Sequence, residues 1–412
     1  MNETAEQTAI HTLPLAATHR THGATFAERD GFMLPAAYGD ARAEYAAVRG
    51  GGDSSAGDRA GDGGAGLIDL SARARIEVGG AEAVQFLNGL ITNDVKTLAA
   101  GAWMAAAFPN VQGRLLAHAR VARPGAEGSF LIDTEPATHE KVFQTLQRFT
   151  LAGDFRVNDV TGETVQFSVQ GARAGAIIES ALGGAFAPET EPRRQGASVV
   201  AWRESAAVTV MHATHTGEDG YDLVCAAAAG ADLWEALTTA GARPVGFDAF
   251  EVLRVEAGVA RHGVDVTDAN VVLEAAGRDD EEAVSYTKGC YIGQEIIARI
   301  HWRGHVAKRL AGLVLADDAE LGADAKVKTA EGKEIGRVTS QVFSPRLARR
   351  VALAVLKYDY LKPGTEVSIV AAEAERAARV AELPFVRGSW YAADAAAAVV
   401  VGAPGDEGEA TS

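Results

Sequence analysis

The chain has 412 residues, of which 47% are hydrophobic and 23% charged, with a formal net charge of −16 and an isoelectric point near 5.1. This composition is that of an ordinary soluble protein with enough apolar material for roughly two to three domains. The acidic balance disfavours partners that are held through a phosphate backbone, so nucleic acid is not an expected ligand.

The cysteines and the N-terminus indicate the compartment. Cys225 and Cys290 are the two cysteines of the chain, too few for a disulfide framework or for the four thiolates of a self-contained iron–sulfur cluster. Residues 1–6 are acidic and polar, without the basic and apolar regions of a signal peptide. No apolar stretch reaches the length that a bilayer requires. We therefore expect a cytoplasmic protein in a reducing compartment, without a membrane partner.

The first clear break in the chain is the Gly/Asp-rich stretch of residues 49–66, which reads "RGGGDSSAGDRAGDGGAG". It has no Lys-Ser/Thr pair after its glycines, so it predicts a flexible linker and not a phosphate-binding loop. Residues 1–48 before it are expected to pack on the body of the protein. The Ala-rich and then Gly/Glu-rich end of the chain, residues 391–412, predicts a disordered tail.

Strand-helix units follow the linker. Arg75 to Gly80 alternates polar and apolar residues like a strand, and the next segment places Val84, Leu87 and Leu90 at helical spacing. The same pattern recurs in residues 164–184 and 221–241. These units predict an α+β body with antiparallel sheets that carry helices on one face. We assign residues 67–165 and 166–244 to two such domains, the second ferredoxin-like, and residues 245–305 to a returning segment.

The pattern changes after Arg309 to short strands separated by turns. A hairpin is predicted around Glu331-Gly332 and a second turn at Pro363-Gly364. Residues 306–390 are therefore predicted to form a C-terminal β-barrel module.

The stretch "KGCYIGQEIIAR", residues 288–299, places one of the two cysteines between a glycine and a tyrosine. The apolar spacing after Gly293 predicts that a helix begins there. Cys290 would then lie in a turn near a helix N-terminus with Lys288 close by, which favours thiolate over thiol. The alternative is a buried structural cysteine. Cys225 ends an alternating strand and is expected to be core.

The same stretch, with Arg299 and Gly304 after it, resembles the signature of the YgfZ-type folate-binding proteins, a branch of the glycine-cleavage T-protein superfamily linked to iron–sulfur cluster assembly. "LIDLSARARIEVGGAEAVQFLNGLITNDV", "HTGEDGYDL", "LRVEAGVARHGVD" and "EIGRVTS" resemble further segments of that family, in order, over roughly residues 24–370. The resemblance implies a T-protein-like multidomain fold in which residues 67–165 form the first folate-binding domain. It also implies tetrahydrofolate or a derivative as ligand.

The resemblance assigns roles to particular residues. Cys290 and Lys288 become the reactive pair. Asp222 takes the position that holds the pteridine in T-proteins, where glutamate is usual, and His215 stands where that branch has tyrosine. The other residues receive their roles from the family segments in which they lie. The folate-binding set is Asp222, Arg254, Glu256, Asn93, Asp94 and Arg114, and the motif set is Gly289, Tyr291, Gly293, Gln294, Glu295, Arg299 and Gly304. No metal site is predicted, because Gly304 interrupts the His301 and His305 pair.

The sequence departs from T-proteins where their catalytic acid is expected. The two acids of the family's "Gly-Gly-Ile" turn correspond to Ala117 and His118 in "NVQGRLLAHARV". We therefore do not expect aminomethyltransferase activity. The first hypothesis is a tetrahydrofolate-binding accessory protein of iron–sulfur cluster assembly or repair, with Cys290 as its key thiol and assembly proteins or client enzymes as partners. The second is a folate-dependent one-carbon transferase whose acid has moved, for instance to Asp94 or Asp265. A structural relative with a degenerate pocket is the third.

Overall fold

The computed structural model describes residues 10–50, 64–125, 128–184, 186, 195–203, 206–275, 282–371 and 374–391. Residues 51–63 of the predicted linker lie outside this description, and so does the predicted disordered tail apart from Tyr391.

Twenty strands and nine α-helices form within the described residues. The strands are β1 (His11–Thr12), β2 (Thr25–Arg29), β3 (Phe32–Ala37), β4 (Gly66–Asp69), β5 (Ala74–Gly79), β6 (Ala102–Pro109), β7 (Leu115–Arg123), β8 (Phe130–Thr134), β9 (Arg156–Asp159), β10 (Thr164–Gln170), β11 (Ala197–Trp202), β12 (Ala206–His212), β13 (Gly220–Ala226), β14 (Arg243–Pro244), β15 (Lys308–Leu315), β16 (Lys326–Lys328), β17 (Glu334–Ser344), β18 (Arg349–Lys357), β19 (Glu366–Ala371) and β20 (Ala374–Ala381). The helices are α1 (Ala16–Thr21), α2 (Ala41–Arg49), α3 (Ala83–Leu90), α4 (His139–Gln147), α5 (Ala174–Ala181), α6 (Ala227–Thr239), α7 (Phe247–Glu256), α8 (Val272–Ala275) and α9 (Gln294–Arg303).

A five-stranded antiparallel sheet has the order β6-β7-β8-β5-β9. The alternation predicted for β5 places Ile76 and Val78 on the same face of the sheet. There they pack against Leu87 and Leu90 of α3. Val142 and Leu146 of α4 complete that core. Both helices cover the same face because their apolar residues recur at helical spacing.

A six-stranded sheet has the order β11-β12-β13-β10-β4-β14 and is antiparallel except for the β14-β4 pair. Helices α5 and α6 cover it, and Ile177, Ile178 and Leu182 are buried beneath them. Cys225 is buried in this core, which confirms its predicted place.

The two sheets meet through their other faces. Trp103 of the five-stranded sheet packs with Met211 and Val224 of the six-stranded sheet. The Trp103 indole Nε1 donates a hydrogen bond to the His212 carbonyl oxygen at 2.9 Å, which joins the two sheets at this point. This interface is where polar side chains of both sheets can converge on one space.

The C-terminal strands close into a barrel of order β15-β18-β17-β16-β19-β20. Gly332 and Gly364 have positive φ in the two turns predicted for them. Helix α7 packs on the barrel through Val255, which contacts a cluster with Val351 and Leu353. The N-terminal sheet, of order β1-β3-β2, packs on α7 through β3.

The predicted fold class is confirmed: an α+β body with antiparallel sheets carries a closed six-stranded barrel. None of the helices in the described part of the chain is both long and apolar enough to cross a membrane.

Candidate active site

Two adjoining cavities lie where the two sheets, the segment after α7 and the residues after the barrel meet. The apolar cavity has a volume of about 90 Å³, and the main cavity has a volume of about 200 Å³. They share five lining residues and therefore adjoin: Arg73, Glu135, His215, Val259 and Ala260. Phe32, Phe247 and Phe250 are among the further walls of the apolar cavity. The main cavity adds Trp103, His118, Arg120, His262, Glu282, Trp390 and Tyr391.

Strand β7 supplies one wall of the main cavity. Its alternation sends Leu115, Ala117 and Ala119 into buried cores, while His118 and Arg120 lie on the opposite face and line the cavity. Of the two positions where the family has acids, only 118 therefore reaches the cavity. Ala117 is fully buried among the core residues under α3.

A buried charge cluster links the two sheets behind this wall. The Asp222 carboxylate accepts from the Ser168 hydroxyl at 2.6 Å and from the Arg120 guanidinium at 2.7 Å, and His215 Nε2 lies 2.9 Å from it. Although burial works in the other direction, His215, Arg120 and Ser168 hold the pKa of Asp222 well below its ordinary value. Burial and then Arg120 lower the pKa of His215, against the opposing effect of Asp222. Asp222 is thus an anion, and His215 is neutral near pH 7.

The structure places Asp222 differently from the direct pteridine contact that the resemblance implies. Its carboxylate is fully buried and is not a lining residue of either cavity, whereas its partners His215 and Arg120 are. An aspartate side chain is one methylene shorter than the glutamate usual at this position, which is consistent with a carboxylate that lies behind the cavity wall. Any effect of Asp222 on a ligand would pass through His215 and Arg120.

A second cluster stands at the junction of the cavities. The Arg73 guanidinium donates to both Asp133 oxygens, at 2.7 and 3.1 Å, and to Glu135. Asp133 is 1% exposed at its side chain and lies behind the wall, whereas Glu135 lines both cavities.

His262 lines the main cavity from the segment after α7. Its Nε2 lies 3.3 Å from Asp268 Oδ1, and Asp268 also accepts from Lys141 Nζ at 2.6 Å. Burial, and to a lesser extent neighbouring His118, lower the pKa of His262 against the effect of its contact with Asp268. The cavity wall therefore carries a second neutral imidazole near pH 7.

Arg254 and Glu256, assigned to folate binding, hold α7 against its neighbours. Arg254 donates to Asp265 at 2.6 Å and to the Ser340 hydroxyl at 2.7 Å, and it also lines the apolar cavity. Glu256 is fully buried, accepts from Tyr45 at 2.9 Å, and lines neither cavity.

Asn93, Asp94 and Arg114, the rest of the folate-binding set, lie in loops. The Asn93 amide donates to the Ala105 carbonyl at 2.8 Å, and Asp94 caps a short 3-10 turn by accepting from the Lys96 N–H. Arg114 donates to the Ala269 carbonyl at 2.8 Å. None of the three lines either cavity.

Two proposed substitutes for the missing acid are engaged elsewhere. Asp94 is the cap just described. Asp265 is fully buried and accepts from Arg254, Thr339 and Ser340. Neither carboxylate lines the main cavity. The expectation that one of them replaces the family acid is therefore not supported by their positions.

Lys288, Gly289 and Cys290 lie outside both cavities. The Lys288 ammonium donates to the Ile91 and Asn93 carbonyls at 2.8 and 2.5 Å and stands 5.0 Å from the centre of the Tyr291 ring. Burial lowers the pKa of Lys288 to about 8. The Cys290 side chain is exposed. The ammonium is thus committed to backbone carbonyls, and the motif anchors a loop to the end of α3.

The rest of the motif forms the start of α9, which begins at Gln294 as predicted. Gly293 has φ +77°, and a Cβ there would lie 2.4 Å from the Asn110 carbonyl oxygen. The turn before β7 and the start of α9 therefore touch at Gly293. Tyr291 is buried, Glu295 and Arg299 are exposed, and Gly304 ends the helix.

Sequence reasoning missed several polar residues of the cavities, among them Arg73, Arg120, Glu135 and His262. The alternation of β7 could have identified His118 and Arg120 as neighbours on one face. Glu135 carried a weaker signal, a carboxylate placed directly after the buried strand β8. Among the residues that the structure describes, no three histidine, cysteine, aspartate or glutamate side chains are placed to share a metal ion.

The fold and the cavities define a class of protein in which two sheet domains and the residues that follow a C-terminal barrel enclose a ligand-sized space. Residues 15–277 match the GCVT N-terminal domain, and residues 308–387 match the glycine cleavage T-protein C-terminal barrel domain. The chain belongs to the glycine cleavage T-protein family.

Relatives match the chain over most of its length. The aminomethyltransferase of Bordetella pertussis is 30% identical over 376 residues, which cover 91% of this chain and 96% of that protein. The aminomethyltransferase of Geobacillus kaustophilus is 29% identical and covers 91% and 98%. The crystal structure of glycine cleavage system aminomethyltransferase T from Bartonella henselae is similar at a TM-score of 0.78 and 25% identity, covering 92% of this chain and 99% of that one.

These relatives correct the first functional hypothesis. The expected accessory role in iron–sulfur cluster assembly, with Cys290 as key thiol, is wrong, because the relatives matched along the chain are named aminomethyltransferases. The comparisons support the T-protein superfamily and not the YgfZ branch. The misleading signal was the cysteine motif, in which Lys288 and Gly293 have structural roles.

Proposed function

We propose that this protein is a folate-dependent one-carbon transferase that acts on an amine donor. The observation that carries the proposal is the position of His118: it faces the main cavity at the place where T-proteins have a catalytic acid, in a chain that matches aminomethyltransferases over nine-tenths of its length. Tetrahydrofolate would occupy the adjoining cavities, whose phenylalanine and tryptophan walls suit a flat heterocycle.

The reaction needs a group that moves a proton. The transferred carbon loses its bonds to the donor nitrogen and to the donor sulfur, and it forms bonds to two folate nitrogens. The two folate nitrogens give up two protons, which the departing ammonia and the departing thiolate take up, so no oxidant is required. Histidine both accepts and donates protons, and a positioned acid–base group contributes about 10²- to 10⁴-fold to a rate. His118 would take the role that the aspartate has in the family.

The test is turnover of an S-aminomethyl thiol donor with tetrahydrofolate, followed by ammonia release. We expect release that depends on tetrahydrofolate. We expect His118→Ala to lower kcat by about 10²-fold or more while the Kd for tetrahydrofolate changes little, since its role is proton transfer. His118→Asp should retain part of the activity. A wild-type protein that binds tetrahydrofolate but never releases ammonia would refute the transferase proposal.

A further inference from the structure

Glu135 lines both cavities, and only one of its carboxylate oxygens is bound by another side chain in the described part of the protein. It directly follows β8, and Pro136 is the next residue. Arg73 donates to Oε1, while Oε2 has no hydrogen-bond partner among the described residues. The side chain is 24% exposed and lines both cavities at their junction. A ligand that spans the junction would therefore meet this side chain.

The arginine that pairs with Glu135 also serves a second carboxylate. Arg73 is shared with the buried carboxylate of Asp133, and Arg120 is bound to Asp222. Burial alone would raise the pKa of Glu135, but Arg73, and then Arg261, hold it below its ordinary value. An ionised carboxylate in a cavity with aromatic walls is suited to bind a cation.

We propose that Glu135 binds the cationic nitrogen of the one-carbon donor and so selects protonated amines over neutral or anionic donors. The inference rests on the proposed function, because it names the donor class and the residue that recognises it. His118, on the wall of the same cavity, would then act on a carbon whose nitrogen is held by Glu135.

Three other carboxylates near the cavities do not line both of them. Asp133 and Asp222 are buried behind the wall and fully engaged with arginines. Glu282 lines only the main cavity and lies 3.2 Å from the Gln195 amide. Glu135 alone among these four lines both cavities.

The experiment compares Glu135→Gln with a matched control, Glu251→Gln. Both glutamates pair with an arginine and have side chains that are 24% exposed, but Glu251 lines neither cavity. The substitution keeps the shape of the side chain and removes its charge. Asp133 remains to hold Arg73, so the fold should persist, and a thermal melt of each variant checks this.

The first measurement is methylammonium binding to the tetrahydrofolate-loaded protein by saturation-transfer NMR. We expect Glu135→Gln to weaken this binding at least 10-fold and Glu251→Gln to leave it within about twofold. The Kd for tetrahydrofolate should be similar in all three proteins. Equal methylammonium binding by wild type and Glu135→Gln would overturn the inference, whatever the outcome of the turnover assay.

The second measurement is kcat/KM for the S-aminomethyl thiol donor, where we expect a decrease of about 10²-fold in Glu135→Gln. If the wild type has no turnover but Glu135-dependent methylammonium binding is seen, the transferase proposal fails while the cation site stands. If turnover is normal in Glu135→Gln, the cation site fails while the transferase proposal stands.

Discussion

The Arg120 guanidinium and the Asp222 carboxylate form an ion pair of 2.7 Å between the two sheets, one partner from β7 and the other from β13. The arginine reaches the main cavity, and the aspartate is fully buried behind it. The pair also fixes His215, whose Nε2 lies 2.8 Å from Arg120 Nη1. The position of this cavity wall therefore depends on a contact between domains that lie about a hundred residues apart in the chain.

Asp222→Asn should destabilise the protein. It removes the negative charge that Arg120 and His215 face in a buried site, and removal of one partner from such a pair costs about 3–5 kcal/mol. We expect a lower midpoint of thermal unfolding and a weaker Kd for tetrahydrofolate, because Arg120 and His215 lose their fixed positions. Arg203→Gln, which breaks the exposed pair with Asp232, is the control and should change little. An unchanged midpoint for Asp222→Asn would contradict the role of this cluster.

Gly293→Ala should be destabilising, whereas Gly289→Ala in the same motif should be nearly neutral. Gly293 combines φ +77° with a Cβ position 2.4 Å from the Asn110 carbonyl oxygen, while a Cβ at Gly289 meets nothing within 4 Å. The left-handed conformation alone costs about 1–2 kcal/mol for a residue with a side chain. Thermal unfolding of both variants measures the difference. Equal midpoints would show that the packing at Gly293 does not constrain the motif.

The two cysteines should differ in reactivity. Cys290 is exposed, whereas Cys225 is buried in a core where burial raises its pKa to about 12. A thiol-disulfide reagent such as DTNB should modify one thiol in the native protein and two after denaturation. Cys290→Ala should abolish the native reaction without changing the Kd for tetrahydrofolate, since Cys290 lines neither cavity. Loss of folate binding in this variant would place the thiol at the site.

The sequence predicted the strand-helix units, both barrel turns and the start of α9, because each depends on local periodicity or on a glycine with positive φ. It could not show which polar residues meet, since Arg73, Glu135 and His215 come from three separate segments of the chain. Their convergence depends on the pairing order of two sheets. A buried carboxylate such as Asp265 has no local signal that distinguishes it from one facing a cavity.

The cysteine motif was misleading for a related physical reason. A lysine next to a cysteine suggests an activated thiol, but the side-chain nitrogen of Lys288 is directed to the Ile91 and Asn93 carbonyls. The direction of the lysine side chain depends on the tertiary structure around the turn. A short spacing in sequence therefore did not establish a contact in space.

Stability should fall as the pH decreases below about 7, and His215 should account for part of that fall. Burial and Arg120 place the folded-state pKa of His215 below its ordinary value of about 6.5 in an unfolded chain. The unfolded chain then binds more protons between those two pKa values, so the stabilising contribution of neutral His215 is complete above about pH 6.5 and is lost as the pH falls. His262, whose pKa is also lowered, acts in the same direction.

The measurement is the midpoint of thermal unfolding between pH 7.5 and 5.5 for wild type, His215→Gln and His301→Gln. A shift of one pKa unit corresponds to about 1.4 kcal/mol, so His215→Gln should lose a clear part of the pH dependence. His301, whose exposed ring stacks on Tyr286 at 3.6 Å, is the control and should keep the wild-type dependence. If His215→Gln has the same pH dependence as wild type, His215 is not held neutral by the cluster, because a residue that titrates alike in both states contributes no slope.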